Sequence, residues 1–132
     1  MTQQARGMFE VELTPQTQTD EIAQAKLNRL SIAKHFSGDL EATSRGEMLS
    51  VLTDTEGSAG YVALERVTGK LSGRVGSFAL QHSGTMTRGE GSLRVIVVPD
   101  SGTEELEGLA GSMTIEVTDG RHSYSFDYSL AN

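Results

Sequence analysis

Apolar and polar residues alternate along most of the chain with a period of two, which is typical of β-strands that bury one face. In the first such segment Phe9, Val11 and Leu13 share one face. Glycine-rich turns interrupt the alternation at short intervals, and together the two signals predict eight strands. These strands cover residues 8–13, 26–36, 40–52, 59–71, 76–87, 93–98, 112–117 and 122–130.

Most of the predicted strands are joined by short turns, and Asp119-Gly120 has the composition of a two-residue type I′ hairpin turn. Two connections are longer, and each predicts one helical turn, at residues 20–23 and at residues 103–107, the second capped by Thr103. A long antiparallel meander leaves no exposed edge when it closes on itself. We therefore expect an all-β fold, a closed eight-stranded antiparallel meander barrel that forms a single domain over residues 1–132.

The central hairpin brings the chemically most interesting side chains together. If its turn is centred on residues 73–74, Glu65 faces His82 and Tyr61 faces Met86, all on the inward face. This register separates apolar from polar side chains well, which is the property that should fix it. Glu65 and His82 are thereby predicted side by side near the middle of a largely apolar interior.

The neighbouring hairpins agree with this arrangement of faces. Pairing Met86 with Leu93 turns Val95 and Val97 of the sixth strand inward, and the third strand sets Gly46 beside Glu65. An eight-stranded barrel is wide enough either to be filled by side chains or to hold one small ligand. Small residues surround the polar pair at positions 44, 46, 63 and 84, which favours a cavity or makes room for the pair itself. The predicted ligand-binding residues are Met48, Tyr61, Glu65, Phe78, His82, Met86 and Tyr124.

The same pair provides the candidate chemistry. A buried Glu65–His82 couple is able to act as a general acid and base. Burial favours the neutral forms of both groups and pairing favours their charged forms, and such opposed effects on the pKa are typical of functional sites. The alternative is a structural pair whose members satisfy each other. The three histidines show no metal-binding spacing, so no metal site or cofactor is predicted. Whether the protein is an enzyme is left open.

The outer face is expected to carry an apolar surface. Apolar patches of this extent usually mark an interface, and closed symmetric assemblies are the common case. We therefore expect a homo-oligomer that forms through this surface. Its predicted residues are Leu49, Val51, Val62, Leu64, Ile96 and Val98.

Composition narrows the choice of partners. Eighteen acidic residues against eleven basic ones give a net charge of −7, which argues against binding to a nucleic acid backbone.

Cysteine is absent, which excludes disulfides and thiolate chemistry. No apolar run approaches the ~20 residues that span a bilayer, and the N-terminus lacks a hydrophobic signal region, so we expect no membrane association and a cytoplasmic location.

Several segments resemble a bacterial family catalogued as domain of unknown function, family 3224. The matching segments are S-G-D-L-E-A-T-S-R-G-E-M-L, G-S-A-G-Y-V-A-L-E-R-V-T-G, G-S-F-A-L-Q-H-S-G-T-M and V-P-D-S-G-T-x-E-L-x-G-L-x-G-S-M. The resemblance implies a closed eight-stranded barrel similar to that of plant allene oxide cyclase. It implies no catalytic residue, and a shared fold does not fix a function.

Three functions fit these observations. The first is a barrel that binds a small, largely apolar molecule in its interior. An isomerase or cyclase that uses the same cavity is the enzymatic extension of this hypothesis. The third is a structural or interaction module with a solid core that associates through its outer face. The packing of the interior distinguishes the binding barrel from the solid module.

Overall fold

A computed structural model describes residues 2–130 of the chain. Eight antiparallel strands form a closed barrel in chain order, which confirms the predicted fold class. A short helix, α1 (Asp20–Gln24), follows the first strand, and a 3₁₀ turn (Glu104–Leu106) precedes the seventh. The strands are β1 (Gln3–Pro15), β2 (Asn28–Gly38), β3 (Leu40–Leu52), β4 (Ala59–Leu71), β5 (Arg74–Thr87), β6 (Glu90–Val97), β7 (Ala110–Thr118) and β8 (Arg121–Ser129).

The bounds of β3 and β4 agree with the prediction, whereas β1 is longer than the alternating pattern indicates. Its first half pairs with β8, from Gln3 opposite Tyr128 onward, and its second half pairs with β2 up to Pro15 opposite Leu30. Backbone pairing on both sides therefore extends the strand through residues that carry no apolar alternation. The predicted helical turn at residues 20–23 is present, and the Thr19 hydroxyl accepts a hydrogen bond from the Ile22 N–H at 3.2 Å.

The predicted register of the central hairpin is wrong by two residues. The turn is centred on Ser72 and Gly73, with φ of 47° and 87°, rather than on residues 73–74. A type I′ turn needs positive φ at both central positions and favours glycine at the second, which Ser72-Gly73 provides. Consequently His82 lies opposite Ala63, and Glu65 lies opposite Leu80.

A shift of two residues keeps every side chain on its predicted face, because side chains alternate with a period of two. The next hairpin shows the same shift, since Leu93 pairs with Gly84 instead of Met86. The predicted pairing of Gly46 with Glu65 is confirmed, as is the turn at Asp119-Gly120, where φ is 53° and 76°.

One end of the barrel is filled by the hydrophobic core. This end carries the β2–β3 and β4–β5 turns, and the connection between β6 and β7 folds across it. The rings of Phe78 and Phe126 stack with centroids 5.9 Å apart, and Leu106 and Leu109 of the connection are buried against the core. This end is therefore closed by side chains.

The β6–β7 connection also provides hydrogen-bond partners for the first half of β5, where pairing with β6 has ended at Leu80. Buried or half-buried backbone N–H groups need acceptors. The Ser101 hydroxyl accepts from Ala79 N–H, and the Thr103 hydroxyl accepts from Ser77 N–H, each at 3.0 Å. Thr103 occupies the predicted N-cap position of the following 3₁₀ turn, but its side chain makes no capping hydrogen bond, since its hydroxyl is bound to β5.

The opposite end of the barrel is open, and we call this opening the mouth. Inward-facing apolar side chains at this end are exposed by 45% to 72% instead of being covered by other parts of the chain. The exposed inward-facing residues are Leu13, Leu52, Met86, Leu93 and Val117. The interior therefore has a packed half and an open half.

Candidate functional site

A buried charged cluster lies between the two halves. The Oε2 atom of Glu65 lies 2.5 Å from Nε2 of His82 and 2.8 Å from Nζ of Lys34. The three side chains are at most 7% exposed. The predicted inward pairing of Glu65 and His82 is thus observed, but along the diagonal of β4 and β5 and with a third member.

Lys34 is the member of this cluster that the sequence analysis did not identify. It lies on β2 between the inward-facing Ile32 and Phe36. The alternation of side chains along a strand therefore predicts that Lys34 faces inward, and this alternation is the sequence feature that identifies it. Lysine is almost never buried unless it is paired, which made an interior position easy to overlook. Lys34 reaches Glu65 across β3, where Ser44 and Gly46 have side chains too small to obstruct it.

The ammonium group of Lys34 also contacts aromatic rings. Its nitrogen lies 4.8 Å from the ring centroid of Phe9 and 5.8 Å from that of Phe36. A cation over an aromatic face is attracted by the quadrupole of the ring. Lys34 is therefore held between one carboxylate and two rings.

Electrostatics keep the Glu65 carboxylate ionised. Burial by itself raises the pKa of Glu65, but the hydrogen bond from His82 and the charge of Lys34 outweigh it and lower that pKa from 4.5 to about 2. An ionised carboxylate only accepts hydrogen bonds, so Nε2 of His82 carries the proton and donates it. The cluster thus fixes the orientation of the His82 ring.

Two polar atoms at this level are buried without a hydrogen-bond partner among residues 2–130. They are Oε1 of Glu65 and Oγ of Ser44. Ser44 lies opposite Lys34 on β3, two residues from Gly46, the partner of Glu65. Since buried polar groups are normally paired, this level retains hydrogen-bonding capacity that the described side chains do not use.

Tyr61 lies directly on the mouth side of the cluster. Its ring centroid is 6.4 Å from that of His82, and a Cβ added to Gly84 would lie 2.5 Å from the Tyr61 ring. Gly84 therefore provides the space for this ring, as Gly46 does for the backbone of Glu65. Burial and the negative charge of Glu65 raise the pKa of Tyr61, so its hydroxyl is protonated at neutral pH.

A cavity of about 480 Å³ opens above Tyr61 towards the mouth. Its walls are mostly apolar and come from β3 to β6. Three of the residues predicted for ligand binding line it, namely Met48, Tyr61 and Met86. The solid core that was the alternative prediction is thus present in only one half of the barrel.

The other predicted site residues lie deeper in the barrel. Glu65 and His82 lie beneath the cavity, and Phe78 packs in the closed half. Tyr124 faces inward, but backbone groups occupy its hydroxyl, which accepts from Leu40 N–H at 2.9 Å and donates to the Ser37 carbonyl at 2.7 Å. We infer that Phe78 and Tyr124 stabilise the wall below the cavity.

The predicted outer surface is apolar and partly exposed. Val62 and Leu64 are both more than half exposed, Val51 is exposed, and Leu49, Ile96 and Val98 are half-buried. A groove runs between this surface and Ile22 of α1. Within residues 2–130 we find no group of three potential metal ligands. The same residues contain no helix that is both long and apolar enough to cross a membrane.

Comparisons with known proteins agree on one family. Residues 5–128 match the family described as protein of unknown function (DUF3224). No curated protein matches the chain. A crystal structure of a protein of unknown function from the DUF3224 family of Shewanella oneidensis MR-1 is 46% identical, with a TM-score of 0.93, and the match covers 100% of this chain and 99% of that one. The chain therefore belongs to the DUF3224 family.

Proposed function

We propose that the protein binds a small, largely apolar molecule in the mouth of the barrel. The observation that carries this proposal is the set of exposed apolar side chains at inward-facing positions, of which Leu52, Met86 and Leu93 line the cavity. Exposed apolar surface of this kind is stabilised when a ligand removes it from water. Concave, mostly apolar cavities with a few polar groups are also the usual form of small-molecule sites.

Tyr61 is the polar group that orients the ligand in this proposal. Its protonated hydroxyl is able to donate a hydrogen bond to a carbonyl, hydroxyl or carboxylate oxygen of the ligand. The negative charge of Glu65 behind it disfavours the phenolate form. A molecule with one polar end and an apolar body matches this arrangement.

The buried cluster supports the floor of the site. Glu65 and His82 lie below the lining of the cavity, and Lys34 neutralises the carboxylate. The cluster holds β2, β4 and β5 at fixed positions around Tyr61. We therefore propose a positioning role for the cluster.

Fluorescence titration with dansylglycine, which has an apolar ring system and one carboxylate, tests the proposal. We expect saturable binding that is strongly weakened by Met86→Glu, because this change puts a charge on the wall of the cavity.

Met8→Glu is a matched control. Met8 is 42% exposed on the outer face of β1, against 48% for Met86, so both substitutions add the same charge at a similarly exposed methionine. Equal weakening by the two substitutions would contradict binding in the mouth, as would an absence of saturable binding to the wild-type protein.

We also propose that the outer apolar surface mediates self-association. Val62 and Leu64 lie on one strand face beside the groove against Ile22, and both are exposed. Multi-angle light scattering at micromolar concentration should show a homo-oligomer that Leu64→Glu dissociates. A monomeric wild-type protein under these conditions would overturn this second proposal.

A further inference from the structure

The barrel wall is weakest at the junction of β6 and β7. Among the described residues this junction contains two paired positions, Val95 with Met113 and Ile96 with Ser112. The β5–β6 junction, by comparison, continues to Thr87 opposite Glu90 at the mouth. Residues 90–94 and 114–118 therefore run to the mouth without pairing to each other, and we call the space between them the seam cleft.

Side-chain exposure agrees with the missing pairing. Residues 90–94 are exposed on both faces of β6, although Val95 and Val97 further along are buried. On the other side of the cleft Val117 faces inward and is 61% exposed. Strand edges without partners attract other strands, and charged residues at such edges oppose this. Glu90, Arg94 and Glu116 provide those charges here.

The seam cleft borders the cavity on its β6 side, because Leu93 lines the cavity and also lies at the edge of the cleft. Tyr61 pairs with Gly84, and Gly84 pairs with Leu93, so the three form one row across β4, β5 and β6. A Cβ added to Gly84 would lie 2.5 Å from the Tyr61 ring and 3.3 Å from the Leu93 side chain, so both side chains extend over this glycine. Two strand spacings, about 10 Å, separate Tyr61 from the edge of β6.

We propose that the seam cleft binds the apolar chain of an elongated ligand whose polar end lies at Tyr61. The inference rests on the proposed ligand-binding function and adds the class of ligand, which is a molecule with a linear hydrocarbon chain and one polar head. Leu93, Ile115 and Val117 contact the chain from the two sides of the cleft. The chain leaves the barrel through its wall, so its length is not limited by the 480 Å³ of the cavity.

An engineered disulfide across the cleft tests the proposal. Continuing the observed register sets Ser92 opposite Glu116 on the outer face, because Val95 pairs with Met113. The chain has no cysteine, so a protein with Ser92→Cys and Glu116→Cys has a single possible intramolecular disulfide. Its oxidised and reduced forms are compared with two probes, dansylglycine and dansylated undecanoic acid, which share a fluorophore and differ in the chain.

We expect oxidation to weaken binding of the dansylated undecanoic acid by roughly tenfold or more and to leave dansylglycine unchanged. Reduction should restore the original affinity. Equal affinity of the long probe for both forms would overturn the proposal. If neither probe binds the wild-type protein, the proposed function itself fails and this inference fails with it.

A second variant makes the test independent of disulfide formation. Val117→Asp places a charge beside the cleft, and Val75→Asp places the same charge at an exposed valine on the outer face, near the closed end and outside the proposed self-association surface. The first should weaken binding of the long probe selectively, and the second should weaken neither probe. Indistinguishable effects of the two substitutions on the long probe would also overturn the proposal.

Discussion

Glu65→Gln is the substitution that should cost the fold most among changes in the polar cluster. Glutamine preserves the shape of the side chain but removes the charge that compensates Lys34 and accepts from His82. Lys34 would then be buried, with its side chain 7% exposed and no carboxylate beside it. The substitution therefore isolates a buried positive charge without creating a cavity.

The structure gives two routes to the magnitude. Lowering the pKa of Glu65 from 4.5 to about 2 corresponds to about 3 kcal/mol of stabilisation by the ionised form. Removing one partner of a buried ion pair typically costs ~3–5 kcal/mol. Together the two routes predict a loss of ~3–5 kcal/mol, which is a large fraction of the ~5–15 kcal/mol stability of a typical domain.

Urea denaturation followed by circular dichroism measures this loss. Glu47→Gln is the matched control, because Glu47 also forms an ion pair, with Arg29 at 2.5 Å, but at the surface. Exposed pairs contribute little, so this variant should remain close to the wild type. Replacing Lys34 by Met in the Glu65→Gln background should recover part of the loss, since it removes the isolated charge. Equal stability of the two glutamine variants would refute a stabilising role for the cluster.

Two further predictions concern the same region. The pKa of Glu65 is lower in the folded protein than in the unfolded chain, so its contribution to stability is complete above pH 4.5 and is lost as the pH falls towards 2. Urea denaturation across this range should show a decrease in the free energy of unfolding of the wild type that Glu65→Gln lacks. Identical pH profiles of the two proteins would contradict this prediction. Gly84→Ala should destabilise the protein by ~1–3 kcal/mol because the new methyl group meets the Tyr61 ring. Gly91→Ala is the control and should not destabilise the protein, since no atom lies within 4 Å of the added carbon. Similar melting temperatures of the two variants would contradict the position of the Tyr61 ring.

The faces of the strands were predictable because the alternation of side chains tolerates an error in register. The turn at Ser72-Gly73 was placed one residue late, which shifted all pairs by two, and Glu65 and His82 still faced inward together. To predict that Glu65 and His82 are diagonal neighbours and not direct partners, the turn type must be known. A type I′ turn favours glycine at its second central position, which places Gly73 there and sets the observed register.

Lys34 and the seam cleft show two limits of the sequence pattern. The position of Lys34 followed from periodicity, but its burial depends on a carboxylate two strands away and on the small residues of β3 between them. The divergence of β6 and β7 leaves the alternation within each strand unchanged, so no local pattern reports it.

Nuclear magnetic resonance of the methionine methyl groups tests the central claim most directly, because the methionines are distributed over different parts of the barrel. Met48 and Met86 line the cavity, Met113 is buried in the core, and Met8 lies on the outer face, while Met1 lies outside the described residues. With carbon-13-labelled methyl groups, addition of dansylglycine should shift the Met48 and Met86 signals and leave Met8 unchanged. Unchanged Met48 and Met86 signals at saturating probe would contradict a ligand site in the mouth.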